Sequence, residues 1–335
     1  MMIERGMASM ERLKVGVIGV GVMGVNHVRN YAEESSHFDL VGVYDNAAEH
    51  AKAVAEQFHT VAFDNIDALL DAVDAVSVVV PSSLHKEIGL QVAAHGVHAL
   101  IEKPLALNSA DAELLTQAFD SKGLKLQVGH IERFNPVVIE LEKLVDPNKT
   151  FFVETHRYGP YSGNGRITDA SVVEDLMIHD VDLVCHLMAP LGITGLSANG
   201  ESLYSGNIDF ASTMLKFGEH AHAVVSVSRV SQSKERSITI HTEDNCINAD
   251  LLLKTLTITK NTDMIDDGLN HSTYRQDGVV QRIFVPICEP LRQELLAFYD
   301  VVVNDAVCKA SGRVGTEAVR LCENIVKHIR AKATA

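Results

Sequence analysis

The chain has 335 residues and a mass of 36.5 kDa, a length typical of two domains at roughly 150 residues each. Apolar residues make up 46% of the sequence and charged residues 22%, which excludes a disordered or collagen-like protein. Lysine and arginine number 29 against 44 aspartates and glutamates, so the net charge is −15. Nucleic acids and anionic membranes would repel such a chain, and we expect neither as a partner.

The five cysteines are scattered, and no two of them form a CxxC pair. Their odd number argues against a disulfide framework or a zinc ribbon and favours the reducing cytoplasm as the location. No apolar run reaches the ~18–20 residues that a membrane-spanning helix needs. Residues 1–11 are rich in methionine and predict a loose N-terminal extension.

Short apolar runs alternate with amphipathic stretches in the first part of the chain. The strands predicted from the apolar runs are Leu13–Ile18, Leu40–Asp45, Val61–Phe63, Ala75–Pro81, Val97–Glu102 and Leu124–Gly129. The helices predicted between them are Val22–Glu34, Ala47–Phe58, Ile66–Ala72, Leu84–His95 and Ser109–Ser121. Strands buried on both faces and joined by helices indicate a doubly wound parallel sheet, which we assign to residues 12–132.

The pattern changes in the second part of the chain, residues 133–335. Helices are predicted at Val137–Val145 and Val172–Met188, and an extended segment at Phe151–Tyr158. Alternating strands follow at Phe210–Phe217, Ala221–Ser228, Ser237–Thr242, Cys246–Asp250 and Thr255–Ile258, before two closing helices near Leu291–Asn304 and Gly315–Ala331. We therefore expect an α/β fold in which a Rossmann domain precedes an α+β domain with a large, mostly antiparallel open sheet.

A glycine-rich loop follows the first predicted strand and opens the first helix. It reads Gly19-Val-Gly21-Val22-Met23-Gly24, the GxGxxG spacing of dinucleotide-binding loops. Gly19 permits the tight turn, Gly21 lets a pyrophosphate approach the backbone, and Gly24 lets helix and strand pack closely. The start of the helix adds N–H donors for the phosphates. We predict a dinucleotide site here.

Asp45 ends the second predicted strand and indicates which dinucleotide binds. A carboxylate at this place accepts hydrogen bonds from the adenosine ribose hydroxyls and repels a 2′-phosphate. Asn46 and Ala47 follow, so no adjacent arginine is present to hold such a phosphate. These residues favour NAD over NADP, the alternative being that Asp45 is a solvated acid at a strand end.

A second polar segment, Glu102-Lys103-Pro104, ends the fifth predicted strand. Ligands of doubly wound folds bind at the carboxyl ends of the strands. A lysine there is placed to take part in proton transfer, whereas most lysines are exposed surface residues.

The order of these motifs resembles the Gfo/Idh/MocA oxidoreductase family from about Lys14 onward. The resemblance rests on GxGxxG, on Pro81-Ser82-Ser-Leu-His85, on the Glu102–Pro104 segment and on the sheet domain that follows. It implies that the Pro81–His85 segment lines the nicotinamide and that Glu102 approaches the nicotinamide ribose. Lys103 is implied to belong to the catalytic group.

A third motif of the family is an aspartate four residues before a histidine, here Asp175 and His179. This spacing places both side chains on one face of a helix. An imidazole is suited to take the hydroxyl proton when a secondary alcohol is oxidised, with Asp175 orienting it or the substrate and Lys103 stabilising the alkoxide. An ordinary surface pair and a metal site with Asp182 and His186 are the alternatives, and we predict no metal.

The segments around the junction resemble the nucleotide-sugar branch of the family. Arg133, Asn135, Arg157 and Tyr158 are candidate contacts for the sugar or the diphosphate, because arginine binds phosphate in a bidentate manner. The alternative is structural, with Arg133 bracing the domain junction. Ile178 precedes His179 where many members have glycine, which places a simple inositol or glucose specificity in doubt.

The resemblance implies NAD-dependent oxidation of a secondary hydroxyl of a sugar nucleotide, at C3 of UDP-N-acetylglucosamine. A cyclitol or free-sugar dehydrogenase of the same family and a non-catalytic NAD-binding regulator are the alternatives. The half-exposed sheet of the second domain further predicts a homodimer or homotetramer.

Overall fold

A computed structural model of the chain describes residues 12–161, 170–260 and 279–333. The predicted N-terminal extension, residues 1–11, lies outside the described residues. The chain forms two compact units, the first of residues 1–131 and 290–319 and the second of residues 132–289 and 320–335. Each unit contains one sheet.

The first unit begins with eleven alternating elements. They are β1 Leu13–Ile18, α1 Val22–Glu33, β2 Phe38–Tyr44, α2 Ala48–Gln57, β3 Val61–Ala62, α3 Ile66–Leu70, β4 Ala75–Val78, α4 His85–His95, β5 His98–Glu102, α5 Ser109–Asp120 and β6 Leu126–Gly129. All six strands pair in parallel in the order β3-β2-β1-β4-β5-β6. This is the Rossmann order, in which the chain reverses direction beside β1 and opens a crevice at its carboxyl end. The predicted fold of this part is confirmed.

Among the described residues, the part of the second unit within 132–289 contains two α-helices and eight strands. They are α6 Pro136–Glu142, β7 Thr150–Tyr158, α7 Ile178–Leu187, β8 Ile193–Glu201, β9 Phe210–Phe217, β10 Ala221–Ser228, β11 Glu235–Thr242, β12 Asn245–Asp250, β13 Thr255–Lys260 and β14 Val279–Ile283. The sheet order is β14-β13-β12-β11-β7-β10-β9-β8, and every pair is antiparallel except β7 with β10. The expected open, mostly antiparallel sheet is confirmed, with β8 and β14 as edge strands beyond those predicted.

Two helices close the chain, α8 Pro290–Val303 and α9 Gly312–Ala333. Helix α8 buries Leu291, Leu295, Phe298 and Tyr299 in the apolar core of the first unit. The division into units therefore differs from the division at 132/133 that the sequence suggested. An amphipathic pattern shows that a helix has a buried face, but it does not say which sheet covers that face.

Candidate functional site

The glycine loop joins β1 to α1, and its three glycines are required for different reasons. Gly19 has a φ of +88°, and a Cβ there would lie 2.5 Å from the carbonyl oxygen of Val79. A Cβ on Gly24 would lie 2.0 Å from the carbonyl oxygen of Gly19. A Cβ on Gly21, by contrast, would meet no protein atom within 4 Å. Gly19 and Gly24 are thus required by packing, whereas the backbone at Gly21 is open to an approaching ligand.

Val22 and Met23 follow Gly21 in the sequence, and Asp45 follows β2 and lies beside the glycine loop. Val22 is 67% exposed at the first turn of α1, and Met23 packs partly against the apolar core. Asp45 accepts hydrogen bonds from the backbone N–H of Val20 at 2.8 Å and of Ala47 at 2.9 Å. Its carboxylate is therefore held beside the glycine loop, where the sequence analysis placed a ribose.

Glu102 lies at the carboxyl end of β5, and its side chain is 13% exposed. Its Oε2 accepts from the backbone N–H of Lys103 at 3.2 Å, and its Oε1 lies 3.3 Å from Nε2 of His27. Burial raises the pKa of Glu102, but the hydrogen bond from His27, together with Lys103, outweighs it and lowers the pKa. The lowered pKa favours the carboxylate, which is the acceptor that a cofactor hydroxyl needs.

The Pro81–His85 segment follows β4 at the same edge of the sheet. Pro81 is exposed and Ser82 is half-buried, so both are accessible to a ligand. His85 is only 1% exposed, and its ring nitrogens lie 2.7 Å from the carbonyl oxygen of Pro104 and 3.0 Å from that of Val80. Burial outweighs these bonds and lowers the pKa of His85. The ring therefore ties two loops together and offers no surface to a cofactor.

The predicted helix around Asp175 and His179 is present in the second unit. Val173–Met177 forms a π-helical turn that contains Asp175, and α7 continues from Ile178. Both side chains are half-buried. Turns of this kind recur at functional sites because they re-aim side chains without ending the helix. The prediction that these residues act in catalysis stays a prediction.

Arg157 has a different environment from the one expected of a substrate contact. It is 2% exposed, and its Nε and Nη2 donate to Asp180 at 2.8 and 2.9 Å while Nη1 donates to Glu132 at 2.9 Å. Burial lowers the pKa of the guanidinium, but the two carboxylates outweigh it and raise the pKa. Arg157 is thus a buried structural cation that ties β7 to α7.

Arg133 is placed in the same way. It is 4% exposed, and its Nε and Nη2 both donate to Asp182 at 2.7 Å, while Nη1 lies 3.1 Å from Nδ1 of His186. The other ring nitrogen of His186 lies 2.8 Å from Glu142. Asp182 and His186, the residues weighed as metal ligands, are therefore occupied by an arginine. In residues 12–161, 170–260 and 279–333, no group of three or more histidine, cysteine, aspartate or glutamate side chains is arranged to hold a metal.

The two remaining substrate candidates differ from each other. Asn135 is 4% exposed and caps α6, accepting from the N–H of Val137 and donating to Glu132. Tyr158 is half-buried at the end of β7, with its ring stacked on His156 at a centroid distance of 5.2 Å. Of the four predicted contacts, Tyr158 alone keeps an accessible polar side chain.

The sequence analysis missed three residues that support Glu102 from the protein interior. His27 and Tyr31 lie on the buried face of α1, and Ser77 lies on β4, all with no exposed surface. The available signal was the position of His27, three residues after Gly24 and on the inner face of the helix. Its partners are distant in the sequence, so their contact was not visible.

Comparison with known proteins places the chain among oxidoreductases. A model of the Gfo/Idh/MocA oxidoreductase family with an NAD-binding Rossmann fold matches residues 13–130, and a C-terminal domain of the same family matches residues 149–248. UDP-N-acetylglucosamine 3-dehydrogenase from Acidithiobacillus ferrooxidans is 34% identical over 249 residues, covering 74% of this chain and 77% of that protein. The chain belongs to the Gfo/Idh/MocA oxidoreductase family.

A solved structure and one further relative extend this comparison. The solved structure of UDP-N-acetylglucosamine 3-dehydrogenase GnnA from A. ferrooxidans superposes with a TM-score of 0.86 at 28% identity, covering 96% of this chain and 99% of that one. scyllo-Inositol 2-dehydrogenase (NAD(+)) from Bacillus subtilis is 27% identical over 239 residues, covering 66% of this chain and 68% of that protein. Membership of the Gfo/Idh/MocA family confirms an oxidoreductase with NAD as its cofactor.

The glycine loop fits this cofactor. The open backbone at Gly21 leaves room for a pyrophosphate, and the carboxylate of Asp45 stands beside it. No described helix of this Gfo/Idh/MocA member is both long and apolar enough to cross a membrane.

Proposed function

We propose that the chain is an NAD-dependent dehydrogenase that oxidises the C3 hydroxyl of UDP-N-acetylglucosamine to the 3-keto sugar. The similarity to UDP-N-acetylglucosamine 3-dehydrogenase carries this proposal, because it extends over 74% of the sequence and 96% of the structure. Lys103, Asp175 and His179, the groups that the reaction needs, are all present. Their presence argues against a regulator that only senses NAD.

In this proposal NAD, when bound, accepts the hydride that leaves C3. Gly21, Val22 and Met23 at the start of α1 would hold the pyrophosphate, and Asp45 would accept hydrogen bonds from the adenosine ribose. Pro81, Ser82 and Glu102 would hold the nicotinamide side. The support for these positions is that all lie at the carboxyl edge of the parallel sheet.

The chain's own residues manage the proton. His179 accepts the proton of the C3 hydroxyl as the hydride leaves the same carbon, so the products are a ketone, an imidazolium and the reduced cofactor. Asp175 orients the imidazole or the hydroxyl. Lys103 stabilises the alkoxide that develops at the oxygen. Tyr158, which is half-buried at the end of β7, is retained as a substrate contact. Arg133 and Arg157 are bonded to carboxylates and are assigned no phosphate.

A substrate panel tests the proposal. NADH formation is followed by absorbance after NAD is added with UDP-N-acetylglucosamine, UDP-glucose, UDP-N-acetylglucosaminuronate, myo-inositol, scyllo-inositol or glucose. A parallel set contains an aminotransferase that removes the keto product, because an unfavourable equilibrium or tightly held cofactor would hide turnover. We expect NADH with UDP-N-acetylglucosamine alone.

The second candidate is a cyclitol dehydrogenase, favoured by the 27% identity to scyllo-inositol 2-dehydrogenase. NADH formation with an inositol but not with the nucleotide sugar would establish this candidate and overturn the first. The lack of glycine before His179, where Ile178 stands, is the reason for ranking it second.

We also propose that the protein is a cytoplasmic homodimer or homotetramer that associates through the second sheet. One face of that sheet exposes half of Met214, which pairs in register with Val224. An apolar surface of this kind favours contact with another copy. All five cysteines are free thiols, which is in keeping with a reducing compartment. Light scattering after size-exclusion chromatography tests the assembly, and a monomeric mass would contradict it.

A further inference from the structure

A buried chain of hydrogen bonds reaches Glu102 from the interior of the first unit. The hydroxyl of Tyr31 lies 2.8 Å from Oγ of Ser77, which lies 3.0 Å from Nδ1 of His27. Nε2 of His27 lies 3.3 Å from Oε1 of Glu102. Tyr31, Ser77 and His27 have no exposed surface, so solvent does not compete for the bonds among these three residues. Helix α1, which starts at the glycine loop, is thereby linked to the end of β5.

Tyr31 determines which group donates in each of these hydrogen bonds. Among the described residues, Oγ of Ser77 is the acceptor that the buried phenol O–H reaches, so Tyr31 donates to Ser77. Ser77 then donates its own proton to Nδ1 of His27. The remaining imidazole proton sits on Nε2 and points at the Glu102 carboxylate. These hydrogen bonds thus select one tautomer of His27, in which Nε2 donates to Glu102.

The hydrogen bonds from Tyr31 through Ser77 and His27 orient Glu102 and do not deliver a proton to it. Burial is the main cause that raises the pKa of Tyr31. The hydrogen bond between Tyr31 and Ser77 opposes this rise, and the charge of Glu294 adds to it. A phenol with a raised pKa does not release its proton, so no proton can be passed along the chain from Tyr31 to Glu102.

Glu294 of α8 explains why this orientation matters. It has no exposed surface, and neither carboxyl oxygen has a hydrogen-bond partner among the described residues. Burial, followed by the charge of Glu102, raises the pKa of Glu294 well above its ordinary value. The negative charge of Glu102 therefore disfavours a second negative charge on the fully buried Glu294. The donor from His27 keeps the negative charge on Glu102.

Within the described part of the chain, four titratable groups interact with Glu102 from the elements around it. They are His27 from α1, His85 from α4, Glu294 from α8 and Lys103 from the loop after β5. The imidazole of His85 is occupied by two carbonyl oxygens, and Lys103 follows directly in the chain. His27 is accordingly the group in this set that donates a side-chain hydrogen bond to the carboxylate.

We propose that His27, held in one tautomer by Ser77 and Tyr31, is a positioning residue that keeps the Glu102 carboxylate as the fixed acceptor for a hydroxyl of bound NAD. This inference rests on the proposed contact between Glu102 and the cofactor, but not on the identity of the sugar. Without the hydrogen bond from His27, burial raises the pKa of Glu102, and protonation then weakens its bond to the cofactor because charge-assisted bonds are the stronger ones.

The test measures NADH binding to the full chain by fluorescence titration between pH ~6 and pH ~8.5. For the wild type we expect no dependence on the ionisation of Glu102 over this range. For His27→Leu we expect a dissociation constant about ten-fold larger at the acidic end, returning toward the wild-type value at the basic end. His27→Gln, whose amide can donate to Glu102, should restore most of the lost affinity.

Val28→Ala is the matched control, since Val28 is the next residue of α1 and is equally buried. It should lower the melting temperature and leave the pH profile of NADH binding flat. If His27→Leu does not fold, Ser77→Ala carries the test, with a smaller shift in the same direction. A profile as flat as that of the wild type in the folded variants would overturn the inference. If the wild type does not bind NADH, the cofactor site itself is refuted. If the wild type binds NADH but oxidises none of the sugars, the pH dependence of NADH binding still tests the role of His27.

Discussion

Replacing Gly21 with alanine is expected to weaken cofactor binding without disturbing the fold. Gly21 has a φ of −62°, which is ordinary for alanine, and its added Cβ meets no protein atom within 4 Å. Alanine at the start of a helix costs roughly 0.5–1 kcal/mol relative to glycine, and the reduced freedom of the unfolded chain returns about 0.4–1 kcal/mol. These contributions nearly cancel, so the free energy of unfolding should change by less than about 0.5 kcal/mol.

The effect on binding is larger because the new methyl group occupies the approach of the pyrophosphate to the backbone. Loss of one hydrogen bond to a charged group costs about 1.5–3 kcal/mol, which corresponds to a dissociation constant for NADH about 10- to 150-fold larger. Fluorescence titration with NADH measures the binding, and urea denaturation measures the stability.

Two further glycine variants serve as controls. Gly24→Ala places a Cβ 2.0 Å from the carbonyl oxygen of Gly19 and should destabilise the fold by about 1–3 kcal/mol or more. Gly206→Ala, in the second unit and likewise without a neighbour within 4 Å, should affect neither property. NADH binding by Gly21→Ala within about three-fold of the wild type would refute the assignment of the open backbone to the pyrophosphate.

Three other changes test the remaining parts of the molecule. Lys103→Met should abolish turnover while NADH binding persists, and an unaffected rate would remove Lys103 from the mechanism. Arg157→Met leaves the buried Asp180 without its cation and removes one of the two arginines bonded to Glu132. Urea denaturation should show a loss of roughly 3–5 kcal/mol, a loss near zero being the contrary result. Burial raises the pKa of Asp209, but bonds from Ser205 and three backbone N–H groups outweigh it and lower the pKa to about 2. A lowered pKa of Asp209 stabilises the fold at pH values above the ordinary pKa of an aspartate, and this stabilisation is lost as the pH falls toward 2. Asp209→Asn should therefore be about 1–2 kcal/mol less stable than the wild type at pH ~5, and the difference should shrink on acidification. A difference that stays constant with pH would contradict this explanation.

The first sheet could be predicted from the sequence because its strands are buried on both faces. Such strands appear as continuous apolar runs, and Gly96 closes α4 with a φ of +76°, as its position after the helix indicates. The edge strands β8 and β14 lacked this signal. β8 contains Gly195 and Gly200, and four of the five residues of β14 are exposed. An edge strand has fewer neighbours to bury, so its sequence is less constrained.

The arginines show what the sequence could not predict about the site. The guanidinium chemistry of Arg157 fits a phosphate and a carboxylate equally well, and the choice depends on partners distant in the chain. Asp180 is 23 residues away and Glu132 is 25 residues away. His27 was missed for the same reason, since its contacts with Ser77 and Glu102 span 50 and 75 residues. Motifs located the candidate residues, whereas their roles depended on tertiary contacts.

The central claim is that a hydride leaves C3 of the sugar while this chain's residues take the hydroxyl proton. UDP-N-acetylglucosamine carrying deuterium at C3 tests it most directly, in a single turnover with excess enzyme and NAD followed by mass spectrometry of the nucleotide. We expect the reduced cofactor to carry the deuterium and the sugar to carry a 3-keto group. Reduced cofactor without deuterium would show that another carbon is oxidised and would contradict the proposed function.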